Sequence, residues 1–108
     1  PKDKFSNLSA DDFERLIEDE NVQRLDVRTV AEYSEGHIPN SININIMDDS
    51  FSANADKILD KSRPVAVYCR SGKRSRNAAN LLVKKGFVVY NLDKGILGWI
   101  DLGKEIEK

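Results

Sequence analysis

With 108 residues, 40 % of them apolar and 32 % charged, the chain has the make-up of a soluble globular protein and room for one hydrophobic core, so a single domain over residues 1–108 is expected. No apolar run reaches the ~20 residues that a membrane span needs, and no charged-then-apolar leader is visible ahead of the first folded segment. The net charge of −1 hides an asymmetry: residues 1–60 hold fourteen acids and six bases, whereas residues 61–92 hold eight bases and no acid.

In chain order, Ser9 with Asp12 has the spacing of a helix-capping box, and Phe13, Leu16 and Ile17 recur at helical period. Val22 to Val27 reads as a strand. Thr29 with Glu32 forms a second capping box, for a short helix that Gly36 can end. Ile42, Ile44 and Ile46 alternate with Asn43 and Asn45, the pattern of a short strand or extended edge. Phe51, Ala55, Ile58 and Leu59 form a helical stripe that ends before Pro64. Val65-Ala66-Val67-Tyr68 is a continuous apolar run, as expected of a central parallel strand covered on both faces. A polar loop from Cys69 to Ser75 follows. Ala78, Leu81 and Leu82 then mark a helix closed by Lys84, Lys85 and Gly86, whose cations suit the dipole at that end. Phe87 to Tyr90 reads as a last strand. Strands alternating with helices predict an α/β fold with a mainly parallel central sheet. Ligands of such sheets bind outside the carboxyl ends of the strands, where Cys69 stands.

One cysteine and one histidine exclude an internal disulfide and argue against structural zinc, so no metal is expected. The basic block around Cys69 has two ordinary explanations: a solvated patch, or a phosphate-binding face for nucleic acid. Against nucleic acid, Leu81, Leu82, Val88 and Val89 look like core, and Tyr68, Phe87 and Tyr90 sit in apolar runs rather than on a stacking platform. A lone cysteine is commonly a small buried hydrophobe. Here, however, Cys69 opens a loop between a buried strand and a helix N-terminus, where backbone N–H groups and the helix dipole favour an anion. Gly72 permits tight curvature, and Arg70, Lys73, Arg74 and Arg76 add positive charge. All of these favour thiolate over thiol, so the pKa of Cys69 is expected below the free value of ~8.5.

At this loop the chain resembles the single-domain rhodaneses, the thiosulfate sulfurtransferases. Cys69-Arg70-Ser71-Gly72-Lys73-Arg74-Ser75 resembles the family's active-site loop. Leu25-Asp26-Val27-Arg28 with Glu32-Tyr33 resembles its first conserved segment, Gly36-His37-Ile38-Pro39 its second, and Gly95-Ile96 with Trp99 its closing region. The resemblance implies a three-layer domain, with helices on both faces of the sheet. It implies Cys69 as the catalytic nucleophile that carries sulfur as a persulfide. Arg70, Ser71, Gly72, Lys73, Arg74 and Ser75 would bind the donor, and Asp26, Arg28 and His37 would give structural support. It implies no cofactor, a small anionic donor such as thiosulfate, and cyanide, a thiol or a protein as acceptor. No nucleic-acid or membrane partner is expected. The cytoplasm is the expected compartment, with the periplasm or export open if a leader was removed.

His37, the only histidine, is the obvious general base. A cysteine already ionised by its loop needs none, and the resemblance makes His37 structural. Trp99 reads as core whose indole N–H needs a partner. The chain departs from the family pattern at Asn40-Ser41, where Gly-Ala is usual, and at Lys94-Gly95, where Gly-Gly is usual. Two rival functions remain. A cysteine phosphatase or arsenate reductase uses a similar anion loop, but with five residues between cysteine and arginine; four separate Cys69 from Arg74. The other rival is a non-catalytic docking module.

Overall fold

A computed structural model describes residues 4–108. In chain order its elements are β1 (Ser6–Leu8), α1 (Ala10–Ile17), β2 (Gln23–Asp26), α2 (Val30–Glu35), β3 (Ile42–Asn43), α3 (Phe51–Ile58), β4 (Val65–Tyr68), α4 (Lys73–Lys84), β5 (Val89–Leu92) and α5 (Gly95–Asp101). The strands form one sheet in the order β1-β5-β4-β2-β3, and every pairing is parallel. The apolar run Val65–Tyr68 is therefore the middle strand of five, with all four residues buried. Its side chains alternate between two cores. Val65 and Val67, with Cys69 just beyond, pack with Ala55, Leu59, Ala78 and Leu82 of the α3–α4 layer. Ala66 and Tyr68 face Phe13, Ile17, Ile96 and Trp99 of the α1–α5 layer. These are the three expected layers, and both faces of β4 are covered, which is why its sequence shows no polar alternation.

Helix starts follow local chemistry. Both halves of the Thr29/Glu32 capping box are present: the Glu32 amide donates to Thr29 Oγ1 (3.2 Å) and the Thr29 amide to Glu32 Oε1 (3.0 Å). At α1 only half forms. The Asp12 amide donates to Ser9 Oγ (3.2 Å), but the Asp12 carboxylate, one methylene shorter than Glu, turns to Arg15. The Trp99 indole N–H finds its partner in the Glu105 carbonyl (2.7 Å), and the ring meets Phe13 edge-on at 6.1 Å.

Several boundaries differ from expectation. The last strand lies at Val89–Leu92, not Phe87–Tyr90. The Phe87 amide bonds the Leu82 carbonyl (3.1 Å), tucking its buried ring under the end of α4, and Val88 points to solvent. The ladder of β3 is only two residues long. Its chain still runs extended, with the Ile44 amide on the Asp26 carbonyl (2.9 Å) and the Ile46 amide on the Val27 carbonyl (3.0 Å). Ile58 and Leu81 leave their expected stripes and are exposed. Strand β1 and helix α5 had no periodic signal, being three and seven residues long. At Asn40, where the family has glycine, φ is +65°; asparagine is one of the few side chains that visit this left-handed region readily. Lys94 adopts an ordinary helix-entry conformation, φ −95°.

Candidate active site

Strand β4 ends at Tyr68 and helix α4 begins at Lys73, so the loop proper is Cys69 to Gly72. Continuing the alternation of β4 puts the Cys69 side chain in the α3–α4 core, 1 % exposed. Burial in an apolar core pushes a thiol pKa up. Polar groups around Sγ oppose it: the Ser75 hydroxyl and the Ser75, Gly72 and Ser71 amides, of which the Gly72 amide makes the hydrogen bond. Together they outweigh burial and hold Cys69 below the usual thiol value. The Gly72 N–H lies 3.1 Å from Sγ. Ser75 Oγ lies 3.1 Å from the Gly72 carbonyl. The groups around Sγ are thus mainly backbone, and the Arg74 charge interacts with Cys69 as well.

Two close approaches shape the loop. Gly72 has φ +102°, and a Cβ there would lie 2.1 Å from the Asp93 carbonyl oxygen. A Cβ on Gly95 would lie 2.3 Å from the Arg70 carbonyl oxygen. The first turn of α5 presses against the loop and holds it: the Ile96 amide donates to the Cys69 carbonyl (2.9 Å) and the Leu97 amide to the Arg70 carbonyl (3.1 Å). This bracing by α5 was invisible to sequence reasoning, apart from the resemblance at Gly95-Ile96. A helix of seven residues leaves little periodicity to read.

The predicted cations divide. Arg74 is drawn away from a donor-facing role. Its guanidinium makes a two-pronged pair with Glu32 (2.8 Å on each prong), because a planar fork matches a carboxylate. The Arg74 hydrogen bond holds the Glu32 carboxyl down to about 2. Glu32 is the site residue the sequence reading missed; its capping role already accounted for it. Arg76 lies 3.9 Å from the Asp93 carboxylate. Arg70 and Lys73 are exposed and, among the described residues, have no side-chain partner.

Asp26, Arg28 and His37 gather beside the loop without touching Sγ. Asp26 is fully buried and accepts from Arg28 Nε (3.0 Å) and Nη2 (2.6 Å); the same Nη2 reaches the Gly36 carbonyl (2.7 Å). The guanidinium sits 5.7 Å from the ring centre of Tyr68, the residue before Cys69. Burial, then the Asp26 charge, push the Tyr68 phenol well above its usual pKa. Its neutral hydroxyl accepts from the Ile38 amide (3.0 Å) and pairs with Ser41 Oγ (3.1 Å). His37 donates from Nδ1 to the Tyr33 carbonyl (2.8 Å) and stacks on the Tyr33 ring at 3.7 Å. These bonds tie the strand end and the Gly36–Ser41 segment into one support.

A small cleft of about 180 Å³ opens next to the loop, between Arg70, α5 and the end of α2. A larger hollow of about 670 Å³ lies at the amino end of β5, at the opposite end of the strands from Cys69. Among the described residues, no three His, Cys, Asp or Glu gather in a way that would hold a metal, and no helix is long and apolar enough to cross a membrane.

The profile of the rhodanese-like domain matches residues 9–102. A thiosulfate sulfurtransferase GlpE from Shewanella oneidensis is 34 % identical over 96 residues, covering 88 % of this chain and 92 % of that protein. A tRNA uridine(34) hydroxylase from Aster yellows witches'-broom phytoplasma is also 34 % identical, over 102 residues; the match takes in 91 % of this chain but 33 % of that protein. Among solved structures, a rhodanese-related protein from Thermoplasma volcanium superposes with a TM-score of 0.83 at 33 % identity, covering 95 % of this chain and 98 % of that one. Relatives with this fold bear more than one activity in their names, so function has to be argued from the loop itself. With the match running from α1 to α5 and the solved fold superposing along nearly its whole length, the chain belongs to the rhodanese-like domain family.

Proposed function

We propose that this domain is a sulfurtransferase that carries sulfane sulfur as a persulfide on Cys69. It takes the sulfur from thiosulfate or a similar anionic donor and passes it to cyanide, a thiol or a protein acceptor. The supporting observation is the setting of Sγ: buried at the strand end, bonded by the Gly72 amide, and held below the usual thiol pKa by the polar groups of Ser71, Gly72 and Ser75. A nucleophile whose thiolate is favoured by its own loop leans less on a base.

The thiolate attacks the outer sulfur of thiosulfate. The new S–S bond forms as the donor's S–S bond breaks, and sulfite leaves with the bonding pair. The persulfide keeps the single negative charge that the thiolate brought, one atom further out, where the same amides stabilise it. An acceptor such as cyanide then attacks the outer sulfur and leaves as thiocyanate, returning the Cys69 thiolate. Arg70 and Lys73, uncommitted and exposed, attract the dianionic donor. No metal or organic cofactor enters either step. The cytoplasm, whose reducing poise keeps a lone cysteine as a thiol, suits this chemistry.

Phosphoryl transfer draws little support here. It would want an arginine facing the phosphate and a general acid. Arg74 faces Glu32, while Asp26 and His37 are bound up in the support.

Intact-mass measurement after incubation with thiosulfate tests the proposal. The protein should gain one sulfur atom, and Cys69→Ser should gain none. Alkylation of Cys69 should show a pH midpoint below that of a free thiol, and Ser75→Ala should move it up. A protein that gains no sulfur and alkylates like free cysteine would be a docking module. Hydrolysis of an aryl phosphate that disappears in Cys69→Ser would mark a phosphatase.

A further inference from the structure

Two properties of Arg74 stand together. Its charge interacts with Cys69, and its guanidinium is engaged fork to fork by Glu32, at 2.8 Å on each prong. Glu32 is itself pinned, for its Oε1 accepts from the Thr29 amide (3.0 Å) and the Thr29 hydroxyl (3.1 Å) at the start of α2. The pair thus joins the helix after β2 to the helix after β4, neighbouring strands of the parallel sheet, at the end of the sheet where Cys69 stands. The Arg74 and Glu32 side chains are 28 % and 25 % exposed, so water screens them only in part. The other charged groups near Cys69 are balanced or solvated. From β2, Asp26 is paired with Arg28. Beyond β5, Asp93 lies against Gly72 and has Arg76 at 3.9 Å. Arg70, Lys73 and Lys94 are exposed, the Tyr68 phenol is neutral, and α3 packs Ala55 into this core without a charge. Arg74 is the partly buried cation that acts on Cys69, and Glu32 is what balances it.

Balance has a chemical use. Each cation brought to a thiolate makes it easier to form and less basic, and the nucleophilicity of a thiolate falls with its basicity, along a Brønsted slope of about 0.4–0.5. The loop already supplies the polar groups of Ser71, Gly72 and Ser75 and the start of α4. An uncompensated Arg74 would add a whole charge to these, stabilising the thiolate further and blunting its attack. We propose that Glu32 is a positioning residue for sulfur transfer: anchored on Thr29, it fixes the Arg74 guanidinium beside Cys69 and offsets its charge, which keeps the Cys69 thiolate reactive. This role rests on the persulfide reading above, since the nucleophile that Glu32 tunes is the one that attacks the donor's outer sulfur.

Alkylation by iodoacetamide tests it, because the reagent is neutral and charge enters only through Cys69. Two quantities are read at low salt in the full chain: the pH midpoint and the limiting rate of the thiolate above it. Glu32→Gln keeps an acceptor oxygen for Thr29 and Arg74 but removes the charge. Its midpoint should fall by about half a pH unit to one unit, the size of one partly screened charge. Its limiting rate should drop about 1.5- to threefold. Arg74→Gln removes the cation and leaves Glu32, so its midpoint should rise by a similar amount and its limiting rate with it. Glu32→Asp keeps the charge, and its midpoint should stay near wild type even where its shorter reach lowers stability. Added salt should shrink both shifts. A pair that only braced the loop would behave differently. Loosening either side would weaken the Gly72 bond to Sγ, and both Gln variants would shift upward together. That outcome, or a midpoint unmoved by Glu32→Gln, overturns the proposal. Sulfur loading is measured separately on the wild-type protein by intact mass. If it loads and both Gln variants shift upward, the persulfide reading survives without this role for Glu32. If the variants split as expected and no sulfur loads, the charge balance stands, but the sulfur-transfer reading falls and the proposal with it.

Discussion

Helix α4 has a glycine at each end with nearly the same backbone angle, Gly72 at φ +102° and Gly86 at φ +101°. The two ends are otherwise unlike. A Cβ on Gly86 would meet nothing within 4 Å, whereas one on Gly72 would run into the Asp93 backbone. At the carboxyl end, Lys84 and Lys85 sit where the helix dipole favours cations. At the amino end, Lys73, Arg74 and Arg76 sit where it disfavours them, with no acid in the first turn. The carboxyl end follows the rules of a stable helix. The amino end breaks two of them, crowding and charge, and it is the end that holds Cys69. Rule-breaking at one end of an otherwise regular helix marks where a fold has been shaped for an anion rather than for stability.

The sharpest way to break the comparison is to give both glycines a methyl group. Gly86→Ala should lose about 1–2 kcal/mol, the cost of a left-handed conformation alone. Gly72→Ala adds a backbone collision and should lose about 2–5 kcal/mol, together with sulfur loading. Urea midpoints at constant m-value measure both. Equal losses would mean that the Asp93 contact relaxes freely and that the amino end is no tighter than the other.

Glu32 sharpens the charge side. Held down to about 2 by Arg74 from its usual value of 4.5, its carboxyl has a lower pKa in the folded state than in the unfolded. A group depressed in this way stabilises the fold at neutral pH and loses that contribution as pH falls from about 4.5 toward 2. Glu32→Gln should therefore cost on the order of 2 kcal/mol at pH 7. The stability difference from wild type should close by about pH 2. A difference that stays constant with pH would show that the pair contributes through packing and not through charge.

The smallest effect belongs to Lys73. Lys73→Gln removes a cation from the wrong end of the dipole and should raise stability by about 0.3–1 kcal/mol. It should also raise the apparent KM for thiosulfate at low salt. A variant that is more stable without a change in KM would separate the dipole argument from donor attraction.

The local part of this structure could be read from the chain before any coordinates. The continuous apolar run Val65–Tyr68 announced a strand buried on both faces, and Thr29 with Glu32 announced a helix start. Cys69 with Gly72 and the following bases announced a tight strand-to-helix loop, because spacing, turn chemistry and short-range periodicity are properties of neighbouring residues. Folding added what depends on partners far apart along the chain. In the sequence Arg74 reads as a free cation beside Cys69; in the fold Glu32, 42 residues away, holds it. Gly95 could not be assigned a reason until the Arg70 backbone lay against it. Strands as short as β1 carry too few residues for a period, and only pairing with β5 makes Ser6–Leu8 a strand. Ionisation of Cys69 divides in the same way. The sequence pointed to cations, whose charges are visible in the letters of the chain. In the folded loop the polar groups of Ser71, Gly72 and Ser75 lie beside Sγ, with the Gly72 amide bonded to it, and the aim of an amide exists only once the chain has turned.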